Sequence, residues 1–332
     1  MEEQKLHRNY PQIDVSLVDA QITVCRWGRG TGKTNQIGLW TADRMEKMPR
    51  SGGTIVGSTY THLLTKLAPG IIKSWQELGY EEGLHFWFNR FPPRNLRIPN
   101  GYSPLLSPKY AIFWYNGSYI QFLSADRGLN NALNADFHAF DEARFLPYEK
   151  VREIALTTRG NAAHFGGNHY HGSLLFTSDA PRSSKSQWFN EYEKQMDAQK
   201  IEQIRQLATY VMIWKGQRKQ TRNEKLARLL SKKIAEFEEL LNELRTGSIF
   251  FSRANTIDNI HALGPQAIWN FKKILSDADY RISVLNEDAV ASPNSFYPLL
   301  NEEVHGYHGE NAAYVESLEI DMRQNIEKDC LW

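Results

Sequence analysis

Cysteine is nearly absent from this sequence: 332 residues include only Cys25 and Cys330. Two distant cysteines form neither a disulfide framework nor the paired spacing of a zinc site, and this usage suits a reducing cytosol. Charge imbalance is absent too, since 39 Lys and Arg meet 38 Asp and Glu for a net charge of +1. No global field draws such a chain to nucleic acid or to a membrane surface, so any such contact depends on a local patch. No apolar run approaches the roughly 20 residues of a membrane span. The polar start, Met1-Glu2-Glu3-Gln4-Lys5, is not a signal peptide. Repeats and low-complexity tracts are also missing. What remains is a globular composition, 41% hydrophobic and 23% charged, long enough for one large domain or two modest ones.

One segment carries chemistry on its face. Residues 24–34 read Val24-Cys25-Arg26-Trp27-Gly28-Arg29-Gly30-Thr31-Gly32-Lys33-Thr34. A β-rich stretch, 21–26, runs into a glycine-rich turn ending in Gly-Lys-Thr. Residues 34–48 then show helical apolar spacing (Ile37, Trp40, Met45, Met48) and stop at Pro49. Strand, turn and helix in this order are the context of a phosphate-binding P-loop. Gly28, Arg29, Gly30, Thr31, Gly32, Lys33 and Thr34 are therefore the candidate nucleotide-binding residues. Their backbone N–H groups would face a polyphosphate, Lys33 the β- and γ-phosphates, and the Thr34 hydroxyl a Mg²⁺ ion. The full pattern calls for glycine where Trp27 stands. Cys25, in the preceding strand, reads as a small core residue.

A second segment complements the first. Residues 137–143, Phe137-His138-Ala139-Phe140-Asp141-Glu142-Ala143, read as a buried strand ending in Asp-Glu. A metal-bound phosphate needs a carboxylate near the ion, and hydrolysis needs another to orient water. Asp141 is the candidate Mg²⁺ ligand beside Thr34, and Glu142 the candidate catalytic carboxylate. Successive residues at a strand end point apart, which lets them split these roles. The plain alternative is an Asp-Glu pair in an ordinary strand-to-helix turn. With the P-loop, the pair points to a chain that binds Mg-ATP and hydrolyses it.

The rest of the chain supplies a frame. Strands are predicted over 54–59, 111–115, 118–123, 173–177 and 249–254, and the two flanking Asn116-Gly117 form a hairpin. Helices are predicted over 63–78, with a break near Pro69-Gly70, and over 269–275; residues 91–108 read as an irregular excursion. Alternating strands and helices imply an α/β fold with a mainly parallel sheet flanked by helices. Composition changes near Arg182, and residues 187–245 read as two long amphipathic helices joined near 215–222. Their charge is segregated. Lys215, Arg218, Lys219, Arg222, Lys225, Arg228, Lys232 and Lys233 come first, and Glu236, Glu238, Glu239 and Glu243 follow. Early cations and late acids oppose the second helix's dipole. That order hints at a use such as DNA or a neighbouring subunit, set against an ordinary solvated face.

The order of these motifs resembles the ATPase domain of the large terminase subunit of tailed bacteriophages. The P-loop 28–34, residues 136–143, Phe176-Thr177-Ser178-Asp179-Ala180-Pro181 and Thr256-Ile257-Asp258-Asn259 carry the resemblance, which spans most of residues 10–300. It implies a P-loop NTPase of the ASCE or RecA-like type, using ATP and Mg²⁺ to drive double-stranded DNA into a procapsid. It implies domains at 1–182 (ATPase core), 183–248 (helical insertion or lid region) and 249–332 (end of the ATPase domain and a linker). The nuclease domain that such proteins also carry is not found, so no nuclease activity is expected of this chain. Expected partners are the portal protein and the small terminase subunit. The active form would be a homo-oligomeric ring, taken as a pentamer, with a monomer in isolation and no membrane association. Its place would be the cytoplasm of the infected bacterial host, and transiently the procapsid portal.

The resemblance also suggests individual roles. Arg29 would be a cis-acting or sensing arginine on the γ-phosphate, against a solvent-facing residue. Arg127 would be an arginine finger offered to the next subunit, against a salt bridge with Asp126; Arg144 and Arg159 stand behind it. Thr177 and Ser178 would form the coupling motif. Gln12 would read adenine, against a surface residue beside Tyr10-Pro11. A DEAD-type helicase-like ATPase and a non-hydrolysing, nucleotide-gated assembly module are the competing readings.

Overall fold

The computed structural model describes residues 7–125, 134–183 and 186–288. These lie in the first of two units, Met1–Ala289, the second being Val290–Trp332. Arg127 and Cys330 lie outside the described residues.

Eight strands form one sheet: β1 (Ile22–Trp27), β2 (Gly52–Gly57), β3 (Phe86–Phe88), β4 (Ala111–Trp114), β5 (Tyr119–Ser124), β6 (Phe137–Phe140), β7 (Ser173–Ser178) and β8 (Ile249–Ala254). Their spatial order is β3-β4-β5-β2-β6-β7-β1-β8. From β5 to β8 every pairing is parallel. At the other edge β3, β4 and β5 pair antiparallel. The β4–β5 turn is the Asn116-Gly117 hairpin expected from sequence, with Gly117 at φ 88°. This is the α/β, mainly parallel architecture of a P-loop NTPase. The inner strands β2, β6 and β7 are buried throughout, as strands covered on both faces must be.

The helices are α1 (Tyr10–Val18), α2 (Lys33–Lys47), α3 (Tyr60–His62), α4 (Ala68–Glu77), α5 (Tyr148–Ala155), α6 (Ala162–Phe165), α7 (Glu191–Gln195), α8 (Ala198–Gln220), α9 (Glu224–Arg245), α10 (Ile260–Leu263), α11 (Pro265–Ile274) and α12 (Asp277–Ser283). The expected break at Pro69-Gly70 does not occur. A π-helical turn over Leu63–Leu67 joins α3 to α4 instead, and Pro69 sits in the first turn of α4. Gly70 is required by a close approach, since a Cβ there would lie 2.5 Å from Thr34 Cγ2 on α2. The pair that looks like a helix breaker thus lets α4 crowd against the start of the P-loop helix.

One core cluster joins Trp40, Trp75, Phe86, Trp114 and Phe137 on one face of the sheet, and a second joins Phe140, Phe176 and Phe189 on the other. Truncating a fully buried ring such as Trp75 typically costs about 3–5 kcal/mol. Several buried polar groups are paired across the fold. Asp136 accepts from the Gly52 and Asn161 amides, each at 2.8 Å, and Arg44 bonds Asp19 at 2.7 Å. Helices α8 and α9 form an antiparallel hairpin turning at residues 221–223. Asp197 and Asn223 cap their N-termini.

Candidate active site

The parallel strands β6, β7 and β1 are neighbours, so the segments that leave their C-terminal ends converge. In open α/β sheets this edge is where ligands bind. The P-loop follows β1 and the Asp-Glu pair follows β6. Strand β7 lies between them and delivers Thr177, Ser178 and Asp179. The register pairs Cys25 with Thr177, Arg26 with Ser178 and Phe140 with Phe176. The residue after Phe140 therefore meets Thr177. The Thr177 hydroxyl donates to Asp141 Oδ1 at 3.1 Å, and Ser178 Oγ accepts the Arg144 amide at 3.2 Å.

Side chains from outside hold the P-loop backbone in one orientation. Four consecutive carbonyls accept hydrogen bonds: Arg29 from Thr256 Oγ1 (2.7 Å), Gly30 from Asn259 Nδ2 (2.7 Å), Thr31 from Asn9 Nδ2 (2.8 Å) and Gly32 from Gln12 Nε2 (3.3 Å). A trans peptide is planar, and the N–H of each residue opposes the preceding C=O. Pinning these carbonyls outward therefore turns the N–H groups of Gly30, Thr31, Gly32 and Lys33 the other way. Those amides make no hydrogen bond among the described residues. They sit at the N-terminus of α2, where the helix dipole adds positive potential. The result is an anion cradle. Gly32 carries φ 90°, a conformation that suits only glycine without strain.

Trp27 takes the place of the expected glycine without blocking the cradle. Its ring is fully buried, and Nε1 donates to Ser252 Oγ at 2.9 Å. The Trp27 carbonyl instead accepts from Lys33 Nζ at 3.0 Å. Lys33 Nζ also reaches the Gly28 carbonyl at 3.2 Å and pairs with the Asp179 carboxylate.

The acidic side of the site is a connected network. Arg144 Nη2 lies 3.1 Å from Asp179 Oδ2, and Arg144 Nε 3.4 Å from Glu142 Oε2. Arg144 thus bridges the carboxylate on Lys33 to the candidate catalytic one. Burial holds the Glu142 carboxyl above its ordinary range. Asp179 and Asp141 add to that shift, against Lys33 and Arg144. Glu142 Oε2 is buried and accepts no hydrogen bond among the described residues. Its backbone is left-handed at φ 50°, a strained state for a residue with a side chain. His62 Nε2 lies 3.0 Å from Asp141 Oδ2, and this bond raises the histidine's pKa.

These groups fit Mg²⁺ better than a transition metal. Among the described residues no three His, Cys, Asp or Glu side chains cluster into a cage. Mg²⁺ commonly uses one or two carboxylates and completes its shell with water and substrate phosphates. Asp141 and the hydroxyl of Thr34, the second residue of α2, are of that kind.

No protein-family model matches the chain, and no curated protein matches it. Solved structures do. The large terminase of a thermophilic bacteriophage superposes with a TM-score of 0.52 at 12% identity, covering 86% of this chain and 55% of that one. The same terminase in complex with ADP gives 0.50 at 13% identity over 85% and 54%. Its complex with ATP-gamma-S gives 0.50 at 12% identity over 86% and 54%. Over most of its length the chain has the fold seen in these large terminases. It spans about half the length of these terminases.

On this terminase fold, Asp179 and Arg144 join Lys33, Glu142 and the Ser178 hydroxyl, and Thr177 bonds Asp141 beside them. The Arg29 side chain is exposed and lines a cavity of about 340 Å³ with Arg144, Asp179 and Arg182. Gln12 is buried, and its amide is engaged in the loop: Nε2 donates to Gly32 and to Asn35 Oδ1 (3.0 Å), while Oε1 accepts the Asn9 amide (3.1 Å). Asp179, His62, Asn9, Thr256 and Asn259 are participants to which sequence reasoning gave no role, and Arg144, there a reserve candidate for the arginine finger, pairs with Asp179 and Glu142 of its own chain. For Asn259 a signal existed in the Asp258-Asn259 turn, where Asn255 and Asp258 form a capping box. For Asp179 and Arg144 the spacing carries none, because their pairing is tertiary.

Proposed function

We propose that this chain is a Mg-dependent ATPase and the motor part of a machine that drives double-stranded viral DNA into a procapsid. The observation that carries this reading is the outward pinning of four P-loop carbonyls opposite an Asp-Glu pair, on a terminase fold. In the proposed reaction the amides of residues 30–33 and the Lys33 ammonium bind the β- and γ-phosphates. Thr34 and Asp141 would hold Mg²⁺, which would supply charge neutralisation at the phosphoryl oxygens. Glu142 orients the attacking water and accepts its proton, a task suited to a carboxyl whose pKa burial has raised. Arg144 sets the position of Glu142.

Coupling follows from the same contacts. Asp179 and a phosphate compete for Lys33. Arg144, ion-paired with Asp179 and with Glu142, carries that competition to the catalytic carboxylate. Thr177 and Ser178, bonded to Asp141 and to the Arg144 backbone, tie it to β7. Arg29 serves the γ-phosphate in cis, Arg127 reaches a neighbour's site in trans, and Gln12 braces the loop. The active form is a homo-oligomeric ring, taken as a pentamer, on the portal with the small terminase subunit, in the cytoplasm of the infected host. No helix among the described residues is long and apolar enough to cross a membrane.

Phosphate release at rising protein concentration, with and without duplex DNA, tests the reading. The rate per chain should rise with concentration and again with DNA. A rate indifferent to both contradicts a motor that assembles on DNA.

A further inference from the structure

The α8–α9 hairpin ends in a concentration of positive charge that the active site does not use. Residues 215–233 hold eight Lys and Arg and one Glu, a net +7 within a chain whose total is +1. Helix α8 has 23 residues, about 35 Å of helix. Its inward residues Ile201, Ile204, Ala208 and Val211 lie in the first two-thirds. The last turns of α8 and the first of α9 meet chiefly each other, and from 215 to 225 the side chains are exposed apart from Thr221.

Two observations separate this patch from an ordinary solvated face. First, the cations at the start of α9 stand where helix physics disfavours them. Lys225 and Arg228 occupy the first turns of α9, at the positive end of its dipole, while Glu236, Glu238, Glu239 and Glu243 fill its second half. Second, much of the charge is uncompensated. Lys215 pairs with Glu238, and Arg228 and Lys232 lie near Glu224 and Glu236. Arg218, Lys219, Arg222, Lys225 and Lys233 have no carboxylate partner among the described residues. A cleft of about 730 Å³ under the hairpin continues the positive strip, with Lys47 on the body facing Lys215 and Lys219.

We propose that the tip of this hairpin is a contact surface for the phosphate backbone of double-stranded DNA. The inference rests on the DNA-motor reading above and adds to it the face that grips the polymer. Duplex DNA offers a line of closely spaced negative charges, and unpaired Lys and Arg on a protruding rod suit it without reading bases. Met212, Ile213, Leu226 and Leu229 are exposed nearby and would also suit a protein neighbour. The net charge decides for the polyanion.

The test is a fluorescence-anisotropy titration of a labelled duplex against the whole chain at several salt concentrations. It compares wild type with the quadruple variant R218A/K219A/R222A/K225A and with K272A/K273A on α11 as a control. All four quadruple-variant changes lie on the surface, three in helix and Arg222 in the turn, and far-UV circular dichroism checks the fold. The quadruple variant should bind at least about tenfold more weakly near 0.1 M salt. Its plot of log K against log salt should be shallower by about 3. Its basal ATP hydrolysis should match wild type. Unchanged affinity and slope in the quadruple variant, or an equal loss in the control, overturns the assignment of this surface. Intact DNA binding with lost self-association by sedimentation also overturns it, and makes the hairpin a subunit contact. Failure of the wild-type chain to bind duplex at all overturns the DNA-motor reading itself.

Discussion

Replacing Asn259 with alanine should weaken nucleotide binding although Asn259 touches no phosphate in the proposed mode. Asn259 lies at the end of a 3₁₀ turn after β8, and its Nδ2 donates to the Gly30 carbonyl at 2.7 Å. That bond helps keep the Gly30–Thr31 peptide turned so that its N–H faces the cradle. A typical intramolecular hydrogen bond contributes a net of about 0.5–1.5 kcal/mol. If that energy biases the peptide toward its binding orientation, its loss weakens affinity by about twofold to about tenfold, given a factor of ten per 1.4 kcal/mol. Calorimetric titration of a slowly hydrolysed ATP analogue in Mg²⁺ measures the change. Thr256→Val, which removes the neighbouring pin on Arg29, should act in the same direction, and the double variant should bind more weakly than either. Wild-type affinity in Asn259→Ala, with the fold intact, would refute the argument that outward pinning builds the cradle.

Other expectations follow from the same contacts. The Glu142 carboxyl is held above its ordinary 4.5, so ionising it costs the folded state more than the unfolded one. Glu142→Gln should then be more heat-stable than wild type near neutral pH, with the advantage shrinking as pH falls toward 4.5; melting curves across pH read this directly. His138, buried between Thr54 Oγ1 (2.5 Å) and Thr157 Oγ1 (3.2 Å), has its pKa lowered from 6.5 to about 3 by burial. Stability should fall as pH drops below 6.5 toward 3, and urea unfolding of His138→Gln should show a flatter acid slope. Arg127→Ala should keep ATP binding and lose hydrolysis. In an assembled ring, mixing it with Glu142→Gln should restore activity, because some interfaces then pair an intact Glu142 with an intact Arg127.

The parts of this molecule legible in its sequence are those that local chemistry determines. Strand β1, the glycine turn and α2 follow one another without a long-range partner, and Asn116-Gly117 encodes its own turn. The alternation of strands and helices suffices for the α/β architecture. The sequence reading passes over α1 and β3, the first short and the second only three residues with no alternation to detect. Pro69-Gly70 misleads because its purpose is tertiary: Gly70 gives way to Thr34 from another helix. The site divides along the same line. Lys33, Thr34, Asp141 and Glu142 announce themselves by motif. The bridge from Lys33 through Asp179 and Arg144 to Glu142 joins positions far apart in the chain. So do the pins from Asn9, Thr256 and Asn259, and only the sheet order β6-β7-β1-β8 brings them together.

The central claim is that Lys33 and Glu142 serve one ATP-hydrolysing site in different steps. Its most direct test is a paired measurement of nucleotide retention and phosphate release in Mg²⁺, under assembling conditions, for wild type, Lys33→Ala and Glu142→Gln. The account predicts that Lys33→Ala neither retains nor hydrolyses ATP. It predicts that Glu142→Gln retains ATP at wild-type affinity and releases phosphate at least about 10²-fold more slowly, the usual scale for loss of one such group. Wild-type phosphate release by Glu142→Gln would contradict it.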